Sequence, residues 1–262
     1  MIKPVKTLLL TITYNEEKLL PFFIDCYKWY VDKMIFYDGM STDNSLNIIN
    51  SYKNLEDSKR DNGFKYVDIE ISDFYNRDDA DEELFLEIKN NQWKQYRDEY
   101  DYALIVDVDE ILKYKYTFES GVDTLIEDMR KNNCTIIKPN GYSMISLEDK
   151  EVRYVRTGFR DIMYDKCCLF NMKEIQEINY LPGAHKCNPV GNIKYFEHPD
   201  LKLLHYKYIG LENHLKRTKM NRERLSPQNK VKGWGVHNLA NDNQIKSDFM
   251  VMLNKSINVI NE

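Results

Sequence analysis

Tyr102-Ala103-Leu104-Ile105-Val106-Asp107-Val108-Asp109-Glu110 delivers five apolar residues straight into three carboxylates. An unbroken apolar run bounded by polar residues is what a strand buried on both faces requires. The carboxylates then stand where the strand leaves its sheet. Two stretches nearer the N-terminus repeat the plan. Val5–Thr13 (VKTLLLTIT) opens into Tyr14-Asn15-Glu16-Glu17, and Lys33–Tyr37 (KMIFY) opens into Asp38-Gly39.

The segments between these strands have helical spacing. Leu19–Val31 carries Pro21 in its first turn, where proline is tolerated. Ser41-Thr42-Asp43-Asn44 supplies capping groups ahead of Leu46-Ile48-Ile49. Phe64–Ile71 predicts a third strand, and Asp79–Tyr100 a long helix charged on one face. Strands alternating with helices form βαβ units and a mainly parallel sheet, whose ligands bind beyond the carboxyl ends of the strands. All three polar clusters fall there. The expected fold class is therefore α/β, with a mainly parallel central sheet flanked by helices.

Beyond Asp107 the pattern loosens. Thr117–Lys131 predicts a helix and Cys134–Lys138 a strand, while 142–205 is strand-like and irregular, with loop signals at Pro182-Gly183 and Pro189. Leu211–Leu225 and Ile245–Ile260 read as helices, joined by a polar stretch containing Gly233-Trp234-Gly235. No repeat or linker composition interrupts the 262 residues, so one domain with a helical C-terminal extension is the expectation.

Composition narrows the function classes. A net charge of -5 gives no basic field for nucleic acid, and no glycine-rich phosphate loop is present. Five cysteines without a C-x-x-C pair argue against a disulfide framework or a zinc ribbon. No stretch has the length of a membrane span, and Met1-Ile2-Lys3-Pro4 lacks signal-peptide architecture. A cytoplasmic protein is expected, meeting the inner face of the membrane from the side when its acceptor lies there.

Carboxylates two apart at a strand end, Asp107 and Asp109, can converge on one Mg²⁺ or Mn²⁺ that bridges two phosphates. The competing reading is an acidic turn capping the next segment. Placement after a buried strand, about 100 residues into a βαβ chain, favours the metal.

Thr13-Tyr14-Asn15-Glu16, Asp38-Gly39-Met40-Ser41-Thr42-Asp43-Asn44-Ser45 and Val106-Asp107-Val108-Asp109-Glu110 resemble, in this order, the three signatures of GT-A-fold glycosyltransferases. The likeness is greatest to family-2-like enzymes whose D-x-D is followed by Glu, and covers the first half of the chain best. It implies a nucleotide-sugar donor, UDP-linked, a divalent metal, and a glycan or lipid-linked acceptor. Inverting hexosyl transfer in bacterial surface polysaccharide or glycoconjugate synthesis is the accompanying expectation. In that family's terms Thr13, Tyr14, Asn15 and Glu16 wall the nucleoside pocket, Asp38 accepts from the base, and Ser41 shapes its loop. Asp107 and Val108 border the nucleotide. The implied division is a nucleotide-sugar half over 1–115, an acceptor half over 116–208 and a helical extension over 209–262. One departure stands out: the common pattern has two acidic residues before glycine, where this chain has Asp38-Gly39-Met40.

Leu203-Leu204-His205-Tyr206 resembles the strand-end histidine that completes the metal site, giving Asp107, Asp109 and His205 as expected ligands. A strand histidine pairing with a neighbour is the plainer reading. His185 lies in a loop that could touch either substrate, while Lys166, Lys207, Arg217 and Lys219 are candidates to offset diphosphate charge or are solvated. Transfer also needs a base for the acceptor proton. Asp161 and Asp165 are the candidates, each with a structural reading beside it. Two rivals compete: a haloacid-dehalogenase-like phosphatase with Asp107 as nucleophile and Asp109 as acid/base, and a non-catalytic relative that binds nucleotide-sugar or glycan.

Overall fold

The computed structural model describes residues 5–63, 66–73, 80–115 and 121–260. Readings at Met1–Pro4, Phe64, Asp79 and Thr117–Ser120 lie outside them.

The first half alternates as expected. It runs β1 (Thr7–Thr13), α1 (Leu20–Tyr27), β2 (Lys33–Asp38), α2 (Ser45–Asp61), β3 (Asp68–Asp73), α3 (Glu82–Asn91) and β4 (Tyr102–Ile105). The second half is richer in short strands. β5 (Glu110–Tyr114), α4 (Val122–Lys131), β6 (Ile136–Ile137), β7 (Asn140–Ser146), β8 (Thr157–Arg160) and β9 (Leu169–Asn171) come first. β10 (Ile175–Glu177), β11 (Val190–Gly191), β12 (Tyr195–Phe196) and β13 (Leu201–Ile209) follow. The chain then forms α5 (Leu211–Glu223), α6 (Pro227–Lys232), α7 (Asp242–Asn254) and β14 (Ile257–Asn258).

The central sheet has the order β12-β6-β9-β4-β1-β2-β3. β4, β1, β2 and β3 run parallel, β12 is parallel to β6, and β9 is antiparallel to both its neighbours. This is a mixed α/β fold with a mainly parallel sheet. A second sheet, β14-β8-β7-β13-β5, stands beside it, and β10 and β11 form a small ribbon.

The sheet is covered on both faces, which accounts for the unbroken apolar runs. Leu9 joins the core containing Phe23, Ile24 and Ile49, whereas Leu8 and Leu10 join the one containing Ile88 and Trp93. Successive residues serve opposite cores because strand side chains alternate. All three leucines are buried.

Two expectations need correction. The helix expected over Asp79–Tyr100 is α3, capped by the Asp81 carboxylate, followed by a 3-10 turn over Gln92–Tyr96. That turn carries Trp93, fully buried and edge-on to Phe170 at 4.9 Å. The helix expected over Ile245–Ile260 ends at Asn254. Ile257–Asn258 then pairs antiparallel with β8, and Val259 and Ile260 are buried. The C-terminal extension is thus only partly helical; its end is a strand of the second sheet.

Candidate functional site

Strand β1 ends on Thr13, paired in register with Asp38 at the end of β2. The loops that follow are stitched together by hydrogen bonds to the Asn15 amide and to the buried Asp38 carboxylate. Asn15 adopts a left-handed backbone (φ +54°), which asparagine tolerates better than most residues. Its Oδ1 accepts from the N–H groups of Thr42 (2.7 Å) and Asp43 (3.3 Å), and its own N–H donates to Ser41 Oγ at 3.0 Å. Ser41 in turn donates its N–H and its hydroxyl to Asp38, at 2.9 and 2.6 Å. Asn15, Asp38 and Ser41 are therefore one clasp, in which both Asp38 oxygens already accept hydrogen bonds. Thr13 is fully buried and offers no surface to a pocket. Tyr14 is half-buried, and the Arg224 guanidinium lies over its ring at 3.3 Å.

Strand β4 ends against two ammonium groups. Asp107 Oδ1 meets Lys89 Nζ at 2.6 Å, and Oδ2 meets Lys166 Nζ at 3.3 Å. Lys166 is wholly buried and also holds Glu110 at 2.6 Å. Glu110 is 1% exposed and accepts the Asp107 N–H at 2.9 Å, closing the turn. Burial pushes the Asp107 carboxyl up, but Lys166 and Lys89 outweigh it and hold the group below its usual range. Burial drives Lys166 down, and Asp107 and Glu110 more than restore it, so it stays charged. Val108, between the two aspartates, is buried.

Asp109 faces the other way. Its Oδ2 lies 3.3 Å from His205 Nε2 and 3.3 Å from an Arg217 guanidinium nitrogen. The same nitrogen donates to Glu16 Oε1 at 2.7 Å. Burial raises the Asp109 carboxyl, while His205, Arg217 and Lys207 together bring it well below the ordinary range. His205 stacks on Tyr164 with centroids 3.9 Å apart, and Tyr164 meets His185 edge-on at 4.9 Å. The Nδ1 atoms of both histidines are buried without a partner among the described residues. Burial and Lys166 push His185 down to about 4, leaving a neutral imidazole beside the turn.

The two carboxylates expected as bases are occupied as acceptors. Asp161 takes the Ser143 hydroxyl at 2.8 Å and the Met163 N–H at 3.2 Å. Asp165 takes the Gly141 N–H at 2.8 Å and pairs with Arg160 at 2.7 Å. Lys219 is exposed, and Lys207 is half-buried, its pKa lowered by that burial.

The structure thus unites Asp107, Asp109, His205, Lys166 and Arg217 around one turn, but not as a three-residue ligand set. Among the described residues no group of three or more His, Cys, Asp or Glu side chains is arranged to hold a metal ion. Asp109 and His205 do fit as a pair. They bring a carboxylate oxygen and an imidazole nitrogen to 3.3 Å, donor types that would suit a divalent ion such as Mn²⁺. Asp107 points away from them, with Lys89 at 2.6 Å from one oxygen and Lys166 at 3.3 Å from the other. Lys89 and Arg224 escaped the sequence reading. Lys89 had a usable signal: it stands four residues after Phe85, on the apolar face of α3, where a charge needs a partner.

No family model matches the chain, and no curated protein does. Among solved structures, UDP-glucose pyrophosphorylase complexed with UDP-glucose aligns at 11% identity and a TM-score of 0.32. That alignment covers 59% of this chain and 66% of the other, just under two thirds of its length. A197 from STIV aligns at 13% identity and a TM-score of 0.33, covering 77% of this chain and 86% of that one. Among the described residues no helix is long and apolar enough to cross a membrane.

Proposed function

We propose that this protein is a glycosyltransferase of GT-A type, moving a sugar from a UDP-linked donor to an acceptor hydroxyl. The observation that carries the reading is the convergence of Asp109, His205 and Arg217 at the end of the β4 strand, next to the clasped loops of β1 and β2. Ligands of parallel sheets collect at such strand ends. The half-buried ring of Tyr14 and the Asp38–Ser41 turn supply a wall and a polar edge for a nucleoside. Arg217 supplies positive charge for a diphosphate.

Asp109 and His205 would hold a divalent ion, Mn²⁺ suiting the imidazole better than Mg²⁺. When bound, that ion would neutralise the charge that develops on the departing nucleotide diphosphate. Asp107, fixed by two lysines, then serves as a rigid acceptor rather than a ligand. Residues 116–208, with β7 and β8 of the second sheet, would make the acceptor half, and an acceptor carried by a membrane would be met from the surface.

Calorimetric titration with UDP and with GDP, each with and without Mn²⁺, tests the proposal. Metal-dependent binding of UDP alone is expected. Preference for GDP would keep the transferase and overturn the UDP-linked donor. Absence of binding to either would sink the reading and bring phosphoester hydrolysis, the haloacid-dehalogenase alternative, to the front.

A further inference from the structure

The transferase reading leaves the acceptor proton unassigned, and the two carboxylates suggested by the sequence are engaged elsewhere. A cleft of about 540 Å³ opens beside Arg217. Its walls come from the N-terminal end of α1, the 149–153 loop, the end of β13 and helix α5. Phe22 and Tyr206, edge to face at 5.5 Å, give it an apolar side on which the C–H face of a sugar can rest. Acidic residues line it too, each with a partner. Asp149 pairs with Lys18 at 2.7 Å and Glu151 with Arg153 at 3.3 Å. Asp43 accepts the N–H groups of Ser45 and Glu17 at 2.9 and 3.1 Å, and Glu17 accepts from Asn44 at 3.1 Å.

Glu16 also has a partner, Arg217 at 2.7 Å, and differs from Asp149 and Glu151 in being largely buried. It lines the cleft, yet its Oε1 shares one guanidinium nitrogen of Arg217 with Asp109 Oδ2. It therefore touches both the open space and the centre assigned to the donor diphosphate. The backbone holds it rigidly: its N–H donates to Ser45 Oγ at 2.8 Å, and its carbonyl accepts from Leu19 and Leu20, each at 3.0 Å.

We propose that this cleft receives the acceptor and that Glu16, counted by the family resemblance among the residues of the nucleoside wall, instead takes the proton of its attacking hydroxyl. The inference rests on the transferase reading and adds the group that reading lacks. The hydroxyl oxygen forms a bond to the donor's anomeric carbon as the bond from that carbon to the diphosphate oxygen breaks. The bonding pair leaves on the nucleotide diphosphate, the acceptor proton passes to Glu16, and it returns to solvent through the cleft. Arg217 spans the two events, touching the base on one side and the diphosphate centre on the other. Burial suits Glu16 to proton transfer, because it pushes the carboxyl up to about 7, against the pull of Arg217 and with help from Asp109, Asp43 and Asp107.

The experiment compares wild type, Glu16→Gln and Glu16→Asp with Mn²⁺, using UDP-glucose, UDP-galactose and UDP-N-acetylglucosamine as donors and water as acceptor. Released UDP gives turnover, and calorimetry gives UDP affinity. The Gln side chain can still accept from Arg217, so the fold and the donor site are expected to stand. A loss of at least about 100-fold in turnover, with UDP affinity within about threefold and partial activity in Glu16→Asp, is the expected result. Full turnover in Glu16→Gln overturns the proposal while leaving the transferase reading intact. A tenfold loss of UDP affinity in that variant overturns it too, by assigning Glu16 to nucleotide binding. A wild type that binds UDP but hydrolyses none of the three donors counts against a base already poised at the cleft. A wild type that binds no UDP removes the transferase reading, and this inference with it.

Discussion

The loops after β1 and β2 and the turn after β4 sit at the same end of one sheet but are held by different forces. Around Asn15 and Ser41 the ties are hydrogen bonds between neutral donors and nearby loop groups, many of them partly exposed. Around Asp107 and Glu110 they are ion pairs reaching to α3 and to Lys166, with Lys166 and Glu110 almost wholly out of water. The neutral bonds of Asn15 exchange for bonds with water at a small net gain, so the exposed part of the first region can loosen at modest cost, the buried Asp38 carboxylate excepted. An ion withdrawn from water has no such fallback once its partner is gone. The same sheet end thus combines an adaptable rim with a charge-locked floor.

That contrast is open to measurement. Lys166→Met should have the largest effect, costing about 3–5 kcal/mol in denaturant unfolding, because it strands Glu110 and half of Asp107. Adding Glu110→Gln should recover part of the loss; if it recovers none, charge is not what locks the floor. Asp109→Ala should weaken Mn²⁺-dependent UDP binding at least about 10–100-fold in calorimetry while changing stability less than Lys166→Met. At the rim, Asn15→Ala should cost about 2 kcal/mol, for lost hydrogen bonds and a positive φ that alanine resists. Asn15→Gly should cost less, since glycine accepts that backbone. Lys33→Ala, at the remote β2–β3 edge with Asp68 and Glu70, should cost about 1 kcal/mol or less. Equal losses for Lys166→Met and Asn15→Ala would break the comparison.

Acid should separate the two regions as well. The folded protein holds Asp107 and Asp109 below their ordinary value of 3.8, so their contribution is present above that pH and lost as pH falls through the folded values. Urea unfolding of the Asp107→Asn, Asp109→Asn double variant should depend less on pH below about 4 than the wild type does.

The rim was largely legible in the sequence, and the floor was not. Val5–Thr13 and Lys33–Tyr37 announced their strands by composition, and the polar residues after them had to lie in loops at the sheet end. Asp107 and Asp109 were placed at the same sheet end for the same reason. Their partners were harder to read, because Lys166 follows Asp107 by 59 positions and Arg217 follows Asp109 by 108. Nothing in a helical period says which strand end a distant lysine will reach. Lys89 lies in a helix that reads only as charged on one face, with its place on the apolar side overlooked. Glu16 was visible as a residue, but its cleft is built by segments whose packing no local pattern encodes. The chain terminus misled for a simpler reason: Ile257, Val259 and Ile260 suit a helix face and a strand equally well, and pairing with β8 decided.

The antiparallel ladder between β5 and β13 sets Glu110 opposite His205, and the Tyr206 N–H donates to the Asp109 carbonyl at 2.7 Å. The spacing between the acidic turn and the histidine is therefore written in backbone pairing rather than in flexible side chains. Sliding β13 by a single residue would put Leu204 or Tyr206 in the place of the imidazole and turn alternate side chains to the opposite face. Insertions and deletions should accordingly be confined to the loops that flank this ladder. Anyone seeking to re-engineer the centre can treat the two strands as one interchangeable cassette, to be moved whole or left alone.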